Sequence, residues 1–99
     1  MTLDELKKLL RSGTVIRCEN SDQKQDVIHE MIGMGFSCSQ TMRESFNMGF
    51  PFVGLTGTHV DGFMADYVDK HDIKYIPAEE ALGAGGTAFA VMNVASLLI

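Results

Sequence analysis

The densest run of reactive groups in this chain is Thr56-Gly57-Thr58-His59-Val60-Asp61, which sets two hydroxyls, an imidazole and a carboxylate close together. A hydrolase or transferase needs a nucleophile beside a base, and Thr56, Thr58 and His59 are residues of the right types. The preceding Gly54-Leu55-Thr56-Gly57, however, lacks the Gly-x-Ser-x-Gly spacing that exposes a nucleophile on a sharp strand-to-helix turn. A helix cap accounts for Thr58, with Asp61 three residues on, and requires no chemistry. A second use of Thr56, Gly57, Thr58 and His59 is to hold a small nucleotide-like ligand on the backbone amides of a helix terminus, in a pocket between protomers.

Other reactive residues form no such group. Cys18, Cys38, His29, His59 and His71 are scattered singly, without the Cys-x-x-Cys or His-x-x-x-His spacing of a metal site. Glu79 and Glu80 are adjacent, so they diverge and suit the first turn of a helix, where acids favour the dipole. Gly83-Ala84-Gly85-Gly86-Thr87-Ala88 matches the letters of a dinucleotide fingerprint, yet no strand leads into it and no acid follows to reach a ribose. No metal, cofactor or catalytic residue is implied.

The formal net charge is −5, and its distribution is uneven. Residues 61–80 carry six acids against Lys70 and Lys74, whereas residues 31–60 carry only Arg43 and Glu44. No basic stripe is present to neutralise phosphates, which argues against nucleic-acid binding. The acids Asp61, Asp66, Asp69 and Asp72 can form a face that attracts a basic protein surface, or a face that simply keeps the domain soluble.

These groups must be positioned by local structure. Thr2 and Glu5 have capping-box spacing, and Leu3, Leu6, Leu9 and Leu10 line one side of a short helix that Gly13 ends. Thr14 to Cys18 reads as a strand. Asn20 and Gln23 open a second helix with the stripe Val27, Ile28, Met31 and Ile32, and with Asp22, Lys24, Gln25 and Asp26 facing water. Gly33 and Gly35 stop it, and Phe36 to Ser39 reads as a strand parallel to the first. Phe52 to Leu55 reads as another strand. Thr58 then caps a helix with the stripe Val60, Phe63, Met64, Tyr67 and Val68, before a last strand at Ile73 to Ile76 and a turn opened by Pro77.

The fold class expected is α/β (α+β): a two-layer sandwich with a small mixed sheet of about four strands and two main helices on one face. One domain spans 1–99, with a core at 1–82, a glycine-rich hinge at 83–86 and an apolar tail at 87–99. The tail has no charge and contains Phe89, Val91, Val94, Leu97, Leu98 and Ile99, which would bury against the core or form a homo-oligomer interface. Its dozen apolar residues fall short of the ~20 that a bilayer needs, so no membrane span is expected. Two thiols and an acidic start without a basic leader point to the cytoplasm.

The run from Gly13 through Asn20, the helix to Met34-Gly35-Phe36, and Ile73-Lys74-Tyr75-Ile76 ahead of Glu79 and Glu80 resemble the pattern of small accessory α/β proteins of phages and prophages. The resemblance covers about residues 13–82 and is one of pattern. It implies a phage-borne accessory role in the host cytoplasm, binding and inhibiting a host or defence protein, and carries no functional residues with it.

Overall fold

The first helix forms where its cap predicts. In the computed structural model, which describes residues 1–44 and 47–83, α1 spans Leu3–Arg11. The Glu5 amide donates to the Thr2 hydroxyl at 3.1 Å, and that hydroxyl donates back to the Glu5 carboxylate at 3.2 Å. Strand β1 follows at Val15–Arg17. Helix α2, Ser21–Gly33, opens on Asn20, whose side chain accepts from the Gln23 amide, while Gln23 accepts from the Glu19 amide. This reciprocal pair satisfies two amides that the helix start leaves open.

Both helices close alike. After α1, Gly13 takes a φ of +99°, with Gly13 and Thr14 amides donating to the Leu10 and Leu9 carbonyls. After α2, Gly35 takes +97°, with Gly35 and Phe36 bonded to Ile32 and Met31. This double bond with a left-handed residue is the Schellman ending.

The expected strand at Phe36 to Ser39 does not form. Ser37 makes a single parallel bridge to His59, and Ser39 instead caps a short helix, α3, Gln40–Arg43. The Ser39 hydroxyl takes the Met42 amide at 3.1 Å, which turns the chain away from the sheet after one bridge.

The helix expected from Thr58 is also corrected. Strand β2 spans Phe52–Thr56 and pairs antiparallel with β3, His59–Phe63, through a two-residue turn at Gly57 and Thr58. Gly57 has a φ of +63° and Thr58 is not left-handed, the φ pattern of the hairpin turn that places glycine first. Val60 is buried while His59 and Asp61 are exposed, a period of two rather than 3.6. The helix itself, α4, begins later, at Ala65–Lys70, with no side-chain cap on Met64. Strand β4, Tyr75–Pro77, and a helical segment at 78–83 follow.

The sheet order is β3-β2-β1-β4, with β1 and β4 parallel and the other pairs antiparallel. The parallel neighbour of β1 is therefore β4, reached only after the hairpin and α4. The molecule is an α/β domain with a four-stranded mixed sheet, as expected. Strand alternation sorts its two faces. Ile16 and Val53 pair on the face that α1 and α2 cover with Leu6, Leu10, Val27, Ile28 and Met31. Val15 and Phe52 point the other way and pack with Val68 of α4, so the second face is covered in part by that short helix. Gly54 belongs to this face, where a Cβ would come within 2.6 Å of Val15 Cγ1.

Candidate functional site

The hairpin tip does not join its hydroxyls to the His59 imidazole. Thr56 and His59 pair directly across β2 and β3, and the Thr56 hydroxyl donates to Asp61 Oδ2 at 2.9 Å. The acceptor of that proton is the Asp61 carboxylate and not His59, which makes no side-chain hydrogen bond among the described residues. The other Asp61 oxygen accepts from the Gly62 amide at 2.9 Å. Thr56, Gly57, Thr58 and His59 are exposed in a β-turn, so no helix terminus stands there to supply amides to a ligand.

The structure divides the four candidate acids. Asp61 lies on β3 with both oxygens engaged, and Asp66 is exposed in the first turn of α4. Asp69 and Asp72 come together with Phe52 and Tyr75 in a notch of ≈ 250 Å³ beside α4. Asp72 is held at a φ of +50° because it occupies the left-handed position of the ending of α4, with the Asp72 and Ile73 amides bonded to Asp69 and Val68.

Two aromatic groups flank this acid pair. Phe63 stacks on Tyr67 at 5.8 Å, and Tyr67 meets the His71 ring at 4.4 Å, one turn apart along α4. Tyr67, expected in the core-facing stripe, is 46 % exposed, and Met64 is exposed as well. On the other side Phe52 meets Tyr75 edge-to-face at 5.3 Å, and the Arg17 guanidinium lies 5.5 Å from the Tyr75 ring. Tyr75 is 49 % exposed. A second, larger groove of ≈ 590 Å³ runs from Gly13 and Thr14 past Tyr67 and His71, and shares Asp72 and Ile73 with the notch. Sequence reasoning missed Arg17, Tyr67, His71 and Tyr75 as surface residues. Their clustering depends on β1, β4 and α4 meeting across the sheet, which no local pattern encodes.

The most unusual titratable group lies under the opposite face. Lys24, expected to face water, is 0 % exposed, donates to the Asn47 carbonyl at 2.8 Å and lies 5.9 Å from the Phe50 ring. Burial lowers its pKa, while the nearby Cys18 thiol acts in the opposite sense. Burial pushes Cys18 up to about 11, with the Lys24 charge offsetting part of the rise. Burial likewise raises Glu30. Cys18 and Cys38 are free thiols.

Among the described residues no three His, Cys, Asp or Glu side chains are grouped to hold a metal ion. No helix among them is long and apolar enough to cross a membrane. The interface residues expected at Phe89, Val91, Val94, Leu97, Leu98 and Ile99 lie outside the described residues. No protein-family model matches the chain, and no curated protein or solved structure was found to be similar to it.

Proposed function

We propose that this chain is a non-enzymatic binding protein that docks a protein partner on the α4 side of its sheet. The observation supporting this reading is the pair of half-exposed tyrosines, Tyr67 and Tyr75, standing beside two grooves that share Asp72 and Ile73. Tyrosine and arginine at the centre of a patch are the residues that dominate binding energy at protein interfaces. The sheet edges are poor alternatives. Pro77 on edge strand β4 has no N–H to offer, and on edge strand β3 the Val60 and Gly62 amides are taken by the Ser37 carbonyl and Asp61. Following the phage-type pattern of the sequence, the partner is a host or defence protein that this docking inhibits.

Affinity purification with wild-type protein, the double variant Tyr67→Ala/Tyr75→Ala and a control Asp26→Ala on the exposed side of α2 tests the reading. A partner recovered by the wild type and the control, but reduced at least about tenfold with the double variant, is expected for loss of two interface anchors. Equal recovery by all three overturns it. Self-association through residues 87–99 is a further part of the proposal. It rests on their lack of charge, and light scattering that finds a monomer at micromolar concentration removes it.

A further inference from the structure

We infer that the notch beside α4 takes the cationic side chain of a lysine or arginine from the docked partner, an inference that rests on the docking reading above. Its walls are Phe52, Ala65, Val68, Ile73 and Tyr75, and Asp69 and Asp72 complete the lining. Among the described residues no lysine or arginine lines it. Among the described residues neither carboxylate is in an ion pair; the ion pair present there is Arg17 with Glu19, at 3.8 Å.

Three features fit a cation. Aromatic rings attract one through the negative potential of their faces, and Tyr75 already does so toward Arg17 at 5.5 Å. The two carboxylates supply opposite charge. The C-terminal end of α4, which holds Asp69 and is followed two residues on by Asp72, adds partial negative charge of the same sign. Size decides the form in which the cation arrives. At ≈ 250 Å³ the notch is smaller than pockets that enclose whole ligands, which run from about 300 Å³ upward. It adjoins, however, at Asp72 and Ile73, the ≈ 590 Å³ groove lined by Tyr67 and His71. A polypeptide lying in the groove can place one long side chain in the notch while Tyr67 contacts its backbone or a neighbouring residue. That adjacency favours a protein side chain over a free organic cation.

The test uses ¹⁵N-labelled full-length protein titrated with Nα-acetyl-arginine methylamide and with the citrulline analogue, which has the same shape and no charge. The arginine compound is expected to move the amides of Asp69, Asp72, Ile73 and Tyr75 saturably. Citrulline should bind at least about fivefold more weakly, as should the arginine compound to Asp69→Asn/Asp72→Asn, for loss of a charge-dependent contact. Asparagine tolerates the left-handed backbone at position 72, so the double variant keeps its fold. Equal binding of citrulline, no movement at these amides, or undiminished binding to the double variant overturns the inference. A partner recovered equally by wild type and the asparagine variant also overturns it, yet leaves the docking reading standing. Only survival of partner binding in the tyrosine variant removes the docking reading itself.

Discussion

The Lys24 ammonium donates a 2.8 Å hydrogen bond to the Asn47 carbonyl from a position with no exposure to water. A lysine in such a place contributes through its stem as much as through its charge, since Lys24 shares the buried stripe of α2 with Val27, Ile28 and Met31. Replacing it by alanine leaves a cavity and removes the shorter of the two hydrogen bonds on the Asn47 carbonyl, which keeps the Phe50 amide at 3.4 Å. Lys24→Ala should therefore destabilise by about 2–4 kcal/mol. Lys24→Met keeps the stem volume and removes the buried charge, so it should cost no more than about 1 kcal/mol. Urea denaturation checks the order. Equal stability of the alanine and methionine variants would show that Lys24 fills no core volume.

Cys18 predicts an alkaline effect of defined sign. Its thiol rises from an ordinary value near 9.0 to about 11 on folding. Between those values the folded state keeps a proton that the unfolded chain releases. The stabilisation is thus fully present below pH 9 and is lost as pH rises toward 11. A rise of that size corresponds to on the order of 3 kcal/mol. Lys24 acts oppositely: its lowered pKa means that the cost of burying its charge fades as pH rises through its folded value. The comparison that isolates the thiol is wild type against Cys18→Ala. Their stability difference should shift by about 1–2 kcal/mol in favour of the alanine variant between pH 8.5 and 11. A difference that stays constant across that range would exclude the thiol as the source.

Asp72 is the one non-glycine residue with positive φ among the described residues. It occupies the position that Gly13 and Gly35 hold after α1 and α2. A side chain there carries a steric cost, so Asp72→Gly should raise stability by about 0.5–1 kcal/mol. The same change removes a carboxylate from the notch. The expected result is a protein that melts higher and binds the arginine compound more weakly, a trade characteristic of positions selected for function. Higher stability with undiminished binding would assign Asp72 to the helix ending alone.

Much of the fold was legible because its signals are local. Thr2, Asn20 and Gly13 act at the helix ends where their side chains or backbone freedom predict. The misreadings came from local signals with two meanings. Thr58 with Asp61 has the spacing of a helix cap, yet Gly57 can turn left-handed, and the two-residue hairpin it permits won over the cap. Ser39 caps α3 one residue after a run that reads as a strand. Lys24 stands three residues before Val27 and four before Ile28, squarely on the buried stripe of α2, and its charge hid a position that helical period alone marks as core. The candidate site was the least legible part. Asp69 and Asp72 were visible as acids, but their aromatic surroundings come from residue 52 and residue 75, joined only by the sheet.

Asp61 has a role that its sequence position disguised as a helix cap. In the β2–β3 hairpin the two-residue turn makes Thr56 and His59 a hydrogen-bonded pair, so the amides of Val60 and Gly62 point away from β2 along the open edge. The Val60 amide is taken by the Ser37 carbonyl at 2.8 Å, and the Gly62 amide by Asp61 itself at 2.9 Å. An edge strand with free donors invites pairing with another chain, and an inturned carboxylate is a means of preventing it. Asp61→Ala should release both the Gly62 amide and the Thr56 hydroxyl, giving association that grows with concentration in light scattering and a stability loss of about 1 kcal/mol. Asp61→Asn keeps an oxygen acceptor for the amide and should behave like the wild type. The two outcomes separate hydrogen bonding from charge. If asparagine associates as readily as alanine, the repulsion between carboxylates, rather than the capped amide, protects the edge. If neither variant associates, the edge is guarded by Ser37 alone.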